Sequence, residues 1–259
     1  MKPMIYGHRG APSELPENTL QSFERALRDG ADALEMDAQV TVDGHIVIMH
    51  DETGERTAGV KRAVCECTLQ QVRSWDVGWG WQAKDGSRPF AGQRFHPCRL
   101  SDVLESFPDV LLNIDAKREQ VAIPLVGELQ RLRAAERVRI ASFSQRTLYR
   151  VRDAGWTGML GLGVGCVAAL RLLPAWSLRP RRFLPMRWRP IDADAVQVPV
   201  RQGPLRFDTN VFIDKAHRFG LRVDYWTVDD PAEARRLFAL GADGLVTNCP
   251  AALRALWKV

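Results

Sequence analysis

Short apolar runs alternate with helical segments from one end of this chain to the other, and that alternation constrains its fold more than any other feature. A strand followed by a helix and then another strand returns the chain parallel to itself, so the pattern specifies an α/β protein with a parallel sheet. The strand-like runs are MIY, ADALEMDAQVT, HIVIMHD, VLLNIDAK, RIASF, GMLGLG, DAVQVPV, LRVDYWTV and DGLVTN. Between them lie PENTLQSFERALRDG, SDVLESF, VGELQRLRAAE, TLYRVRDAG, DTNVFIDKAHRFG and DPAEARRLFALG, read as helices. In the first of these Asn18 reads as the N-cap, with Gln21 three residues on, Leu20, Phe23 and Leu27 on one face and Gly30 at the stop. The last reads as Asp230 at the N-cap, Pro231 at the first helical position, Glu233 completing a capping box and Gly241 beyond the end.

The runs number one more than an eight-stranded barrel needs. Asp43-Gly44, between the second run and HIVIMHD, resolves the count, because this dipeptide between two strand-like runs marks a hairpin. HIVIMHD then returns antiparallel and brings His50 back to the level of Glu35 and Asp37. Eight parallel strands remain, which fits a closed (β/α)8 TIM barrel; at 259 residues the chain makes one such domain, residues 1–259. Residues 52–97 break the alternation with Gly, Pro and aromatics and read as a small irregular insertion after the hairpin, with Trp75, Trp79 and Trp81 as its core.

In a barrel the C-terminal strand ends converge on one site. Read in order, those ends carry His8 and Arg9, Glu35 and Asp37, Asp115 and Lys117, Ser142, and Trp226, with His50 joining from the descending arm. Glu35 and Asp37 are two apart on a strand and share a face. Two carboxylates so close call for a cation, and Asp115 makes the set an all-oxygen one, suited to a hard divalent ion such as Mg²⁺ or Ca²⁺. Arg9 offers a planar donor fork and Lys117 a point charge for phosphate oxygens. Two histidines on different elements supply an acid and a base near neutral pH. Ser142 is read as either a phosphate contact or a turn residue, Trp226 as either packing or a substrate wall. Together these residues describe phosphoryl-ester cleavage better than hydride transfer, since GLGVG lacks the spacing of a dinucleotide loop.

The order HRG…PENTLQSFERAL…LEMDAQVTVDGHIVIMHD, with LLNIDAK, ASFS and YWTVDDPAEARRLFALGADGLVTNCP, closely resembles the glycerophosphodiester phosphodiesterases. The resemblance spans about the whole chain and is strongest at its two ends. It implies a barrel related to those of the phosphatidylinositol-specific phospholipases, cleaving small glycerophosphodiesters to glycerol 3-phosphate and an alcohol with one divalent cation, Mg²⁺ or Ca²⁺. By that resemblance His8 and His50 are the acid–base pair, Arg9 contacts the phosphate, and Glu35, Asp37 and Asp115 hold the ion with Lys117 beside it. It also implies attack by the glycerol 2-hydroxyl through a cyclic phosphate. Two positions depart from the family pattern. Asp115 stands where Glu is usual, one methylene shorter, and Asp229 replaces the Asn of WTVND, adding a negative charge that would weaken phosphate binding if it pointed inward.

Two further readings remain: a lysophospholipase D-like hydrolysis of a lipid phosphodiester at a membrane surface, and a barrel that only binds phosphorylated ligands. The first is tied to residues 171–190, an arginine-rich stretch with interleaved Leu, Trp and Phe that suits peripheral contact with anionic membrane. A net charge of +5 suits anionic partners in general, but no recognised nucleic-acid module is present. The N-terminal residues lack the apolar stretch of a secretory signal and five cysteines make an odd count, so reduced thiols and a cytoplasmic address are expected. His45 reads as flanking the hairpin turn and His217 as a favourable charge late in a helix.

Overall fold

The computed structural model describes residues 3–173 and 193–257. The chain opens with β1 (Met4–His8), α1 (Leu20–Arg28), β2 (Ala33–Val40) and β3 (Ile46–Ile48). The insertion follows with a small antiparallel pair, β4 (Thr53–Gly54) and β5 (Val60–Ala63), around α2 (Glu55–Ala58), then α3 (Leu69–Arg73). The alternation resumes with α4 (Leu100–Ser106), β6 (Leu111–Ala116), α5 (Ala122–Arg131), β7 (Val138–Ala141), α6 (Gln145–Asp153), β8 (Met159–Leu160) and α7 (Val164–Leu172). After the undescribed stretch come β9 (Ala195–Pro199) and a hairpin of β10 (Arg201–Gln202) with β11 (Leu205–Arg206). The chain ends with α8 (Asn210–Arg218), β12 (Arg222–Trp226), α9 (Pro231–Ala239), β13 (Gly244–Thr247) and α10 (Pro250–Arg254).

The strands run in the order β8-β7-β6-β2-β1-β13-β12-β9, every neighbour parallel. The two ends of that path meet through a parallel bridge between Gly161 and Ala195, flanked by Asp194 N–H to Leu160 C=O at 3.0 Å and Leu162 N–H to Ala195 C=O at 2.8 Å. The sheet is therefore an eight-stranded barrel, as expected. The hairpin expectation also holds: β3 pairs antiparallel with β2, Ala38 opposite Ile48 and Val40 opposite Ile46, and stays outside the barrel path.

Helices flank the barrel, and their apolar faces bury Phe23, Leu100, Leu125, Leu129, Leu148 and Val151 against strand residues such as Leu34, Met36 and Leu112 on one side. A second cluster around Ile5, Val196, Phe212, Val223 and Leu237 serves the other. The barrel interior is polar at its base. Arg139, 2% exposed, donates to Tyr6 Oη at 3.0 Å and pairs with Asp194 at 2.8 Å and Asp224 at 3.5 Å. Only glycine fits at 244 beside this group, because a Cβ there would lie 2.5 Å from Asp224 Oδ1 and 2.8 Å from the Tyr6 ring.

Two local readings change, and one helix is added. Thr19, not Asn18, caps α1: its hydroxyl accepts from Ser22 N–H, while Asn18 sits buried at φ 58°, a left-handed position Asn tolerates. Asp230 and Pro231 do begin α9, but Glu233 pairs with Arg236 instead of closing a capping box. Residues 164–172 form a helix, α7, that the sequence reading does not include among its helices. Its end is fastened by Lys215, whose ammonium donates to the carbonyls of Leu170 and Leu173.

The insertion has its own small core of Val47, Met49, Val64, Cys67, Val72 and Trp75. Trp81 donates from its indole to Pro12 C=O at 2.9 Å, and Trp79 stacks with the Arg88 guanidinium. His45 closes the hairpin turn against Thr41, and His217 meets Asp243 at 2.8 Å, so both are structural. None of the five cysteines forms a disulfide. The membrane contact expected of residues 171–190 falls almost wholly outside the described residues, which include only 171–173 of that stretch. No helix among the described residues is long and apolar enough to cross a membrane.

Candidate active site

Inward-facing positions alternate along each strand, so the residue two beyond a floor residue reaches the mouth. Tyr6 is followed by His8 on β1 and Asp224 by Trp226 on β12. On β2 Glu35 and Asp37 face inward, and on β6 Asn113 and Asp115. Parallel register sets these strands side by side, with His8 opposite Glu35 and Asp37 opposite Asp115. A cavity of about 660 Å³ opens there, lined by His8, Arg9, Glu35, Asp37, His50, Asp115, Lys117, Ser142 and Trp226 among others. All nine site residues expected from the sequence thus meet in one place.

The acidic cluster is closely paired. Lys117 Nζ bridges Asp37 Oδ1 at 2.7 Å and Asp115 Oδ2 at 2.6 Å. Arg9, held at φ 55°, places Nε 3.1 Å from Asp37 and donates from a terminal nitrogen to Glu17 at 3.1 Å. Its backbone N–H reaches Glu35 Oε2 at 3.1 Å. Asn18, displaced from the capping role, donates to Asp37 Oδ2 at 2.9 Å.

Burial works against ionisation of Asp37, but Lys117 and Arg9 outweigh it and hold its carboxyl below the usual range. At Glu35 the same two cations are outweighed. Burial, then the charge of Asp37, pushes it well above the ordinary carboxylate range. Burial also raises Asp115, despite Lys117.

Both histidines are oriented through Nδ1. His8 Nδ1 lies 2.7 Å from Asn248 Oδ1. Asn248 is itself fixed by Asp229, which accepts from Asn248 Nδ2 at 2.8 Å, from Asn248 N–H at 2.7 Å and from Thr247 Oγ1 at 2.9 Å. A carboxylate accepts only, so the amide nitrogen must face Asp229 and the amide oxygen must face His8. Neutral His8 therefore carries its proton on Nδ1 and leaves the Nε2 lone pair open. Burial, then the Arg9 charge, lowers the pKa of His8 from the ordinary 6.5. Asp229 thus spends its charge on the C-terminal end of β13, and the repulsion of phosphate considered for it does not arise from this position.

His50 Nδ1 meets a charged partner instead, Asp51 Oδ1 at 2.6 Å. Arg56 of the insertion donates to Asp51 Oδ2 at 2.6 Å and, with both terminal nitrogens, to Glu17 at 2.7 and 2.8 Å. A continuous chain of pairs therefore runs from His50 through Asp51, Arg56 and Glu17 to Arg9. Burial opposes ionisation of Asp51 and Glu17, but His50 and Arg56 beside the first, and Arg56 and Arg9 beside the second, hold both carboxyls below their usual values.

Ser142 lines the cavity but commits its hydroxyl to Ala116 C=O at 2.8 Å and to Ser144 N–H at 3.2 Å, the bonding of a turn. Trp226 packs edge-to-face on Phe143 with ring centroids 5.6 Å apart and contributes to the cavity wall. Glu17, Asp51, Arg56 and Asn248 were not singled out by the sequence reading, and Asn18 was read only as a helix cap. Asp51 is the one with a local signal, since it directly follows His50 in the hairpin arm.

Residues 8–252 match the glycerophosphoryl diester phosphodiesterase family. The chain is 31% identical to a glycerophosphodiester phosphodiesterase of Caldanaerobacter subterraneus subsp. tengcongensis, over 98% of this chain and 97% of the relative. Among solved structures it resembles the glycerophosphoryl diester phosphodiesterase domain of an uncharacterized protein from Mycobacterium tuberculosis, with a TM-score of 0.83 at 18% identity, covering 99% of each chain. It also resembles a phosphodiesterase of Oleispira antarctica in complex with the product sn-glycerol-3-phosphate. There the TM-score is 0.75 at 18% identity, over 99% of this chain and 97% of that one.

Proposed function

The chain belongs to the glycerophosphoryl diester phosphodiesterase family, and from that premise we propose that it hydrolyses small glycerophosphodiesters to glycerol 3-phosphate and an alcohol, with His8 as base and His50 as acid. The observation that carries the assignment is the contrast between the two imidazole partners. Asn248, a neutral amide, favours neutral His8 with an open Nε2. Asp51, a carboxylate, sits against His50 Nδ1, where it can offset positive charge developing on that ring.

In the first step His8 Nε2 takes the proton of the attacking hydroxyl, for which the glycerol 2-hydroxyl is the internal candidate. The new P–O bond forms as the bond to the departing alcohol breaks, and His50 Nε2–H delivers its proton to that alkoxide. The resulting cyclic phosphate is opened by water in the reverse sense: His50 accepts the water proton and His8 returns its own to the 2-oxygen. Lys117 and Arg9 offset the charge of the phosphodiester as the nucleophile approaches.

The residues present fit a divalent cation. Three buried carboxyl groups, Glu35, Asp37 and Asp115, face two cationic side chains, and Arg9 is shared with Glu17, so the acidic groups outnumber the cations and Glu35 is the one whose ionisation a further cation would restore. An all-oxygen set of this kind suits Mg²⁺ or Ca²⁺. With Lys117 seated between Asp37 and Asp115, no three acidic, histidine or cysteine side chains converge as a ready metal cage among the described residues. Bound there, the ion would supply further neutralisation of the phosphodiester.

His8→Ala and His50→Ala should each lower kcat on glycerophosphocholine about 10²–10⁴-fold, measured by release of glycerol 3-phosphate. Near-full activity in either variant would remove that residue from the mechanism. EDTA treatment with Mg²⁺ or Ca²⁺ add-back tests the cation, and turnover unaffected by chelation would defeat the carboxylate assignment.

A further inference from the structure

Between the insertion and the barrel, on the far side of His50, lies a second cavity of about 10 Å³. That is room for one water molecule and little else. Its lining includes Glu17, Asn18, His50, Asp51 and Thr57. Asn18 and Thr57 are 3% and 9% exposed, and neither Asn18 Oδ1 nor Thr57 Oγ1 has a hydrogen-bond partner among the described residues. Buried polar atoms are as a rule paired, by protein or by ordered water.

Neither residue is free to turn elsewhere. Asn18 Nδ2 donates to Asp37 Oδ2 at 2.9 Å, and a carboxylate only accepts, so the amide oxygen is the atom left over. The Asn18 backbone is held on both sides, its N–H by Arg9 C=O at 2.9 Å and its C=O by Cys98 Sγ at 3.6 Å. Thr57 lies in α2, and its C=O accepts from Gly80 N–H at 2.8 Å. The packing there is so close that a Cβ at Gly80 would lie 2.5 Å from Thr57 Cα. One unsatisfied oxygen thus comes from the loop before α1 and the other from the insertion, and both residues border the same small volume.

The surroundings suit water better than a cation. Both lining carboxylates are already engaged, Glu17 by Arg9 and Arg56, Asp51 by His50 and Arg56. Two neutral oxygens remain, against the roughly six that a hard ion collects. A water molecule donates to Asn18 Oδ1 and exchanges a second hydrogen bond with the Thr57 hydroxyl, which both donates and accepts.

We propose that this cavity is a site for one ordered water, and that through it Thr57 is a positioning residue for Asn18 and so for the Asp37 carboxylate. The water fixes the amide oxygen of Asn18, and the amide nitrogen holds Asp37. The insertion thereby reaches the acidic cluster by a route separate from Arg56. The site stands on geometry alone; its effect on turnover rests on the phosphodiesterase reading above.

A crystal structure of the unaltered protein, at a resolution that places solvent, should show one full-occupancy water within hydrogen-bond distance of Asn18 Oδ1 and Thr57 Oγ1. A direct bond between these two oxygens, or no solvent density in the cavity, would overturn the site. Thr57→Val removes the hydroxyl at nearly constant volume. The side-chain amide protons of Asn18 should then exchange at least about tenfold faster, and kcat on glycerophosphocholine should fall about tenfold. Thr57→Ser keeps the hydroxyl and should restore both. Exchange and kcat unchanged in Thr57→Val, or a Ser variant as impaired as the Val one, would overturn the positioning role. Thr57→Ala is read in the same way if the Val variant does not fold, and the structure of the unaltered protein depends on neither. If the unaltered protein cleaves no diester under any metal condition, the phosphodiesterase reading fails and the effect on turnover with it, while the density still decides the water.

Discussion

Asp229 shows how a single side chain can govern the chemistry of a residue it never touches. It fixes the Asn248 amide, which in turn fixes the His8 tautomer. Asp229→Ala frees the amide to rotate and should lower kcat about 10- to 100-fold, the usual scale for partners behind a functional group, with KM changed little. Asp229→Asn keeps an acceptor and should recover much of the loss. Nitrogen chemical shifts of His8 check the cause: a bare Nε2 in the parent enzyme and mixed tautomers in the Ala variant, against no change if Asp229 only braces the strand. Because burial lowers the pKa of His8 from 6.5, the neutral base persists to lower pH than for an ordinary imidazole. The acid limb of kcat/KM should accordingly fall below pH 6.5. A limb at or above that value would contradict the His8 assignment.

At the scale of elements, the parallel strands and the hairpin were legible because alternation and Asp43-Gly44 are local patterns, and strand ends must converge once the barrel closes. The supports of the site were not legible, because they join positions without periodic relation. Arg56 and Glu17 meet across 39 residues of sequence, and Asn248 reaches His8 across 240. The first helix was misplaced by one residue since Asn18 and Thr19 are both good caps. The burial of Asp37, which recruits Asn18 as a donor, decides between them. Helix α7 escaped notice because three glycines in GLGVG mask its start.

The irregular insertion also acquires a task at this scale, since through Arg56 it braces both Asp51 and Glu17. Arg56→Ala should reduce kcat about tenfold or more while leaving the barrel folded, as judged by an unchanged circular dichroism spectrum. Rescue by Arg56→Lys should be incomplete, because an ammonium cannot reproduce the forked contacts with two carboxylates. Activity equal to the parent in the Ala variant would show that His50 needs no such bracing.

For the molecule as a whole, the joint between β8 and β9 matters most. Seven of the barrel's junctions are ladders of paired strands, while this one is a single bridge at Gly161 and Ala195 with a few flanking hydrogen bonds. The circle is therefore unevenly bonded, laddered beside the histidines and closed by a single bridge on the opposite side, next to Leu162. Fluctuations should concentrate at this seam, widening the mouth without moving His8, Asp37 or Asp115. Hydrogen exchange provides the check: amides of Leu162 and Asp194 should exchange at least about tenfold faster than those of Leu34 and Ile114, which lie in full ladders. Uniform protection around the barrel would mean that the ring opens only when the whole fold does. A ring bonded in this way would let its mouth yield while the strands that carry His8, Asp37 and Asp115 stay in register, since the give and the grip lie on opposite sides of the same circle.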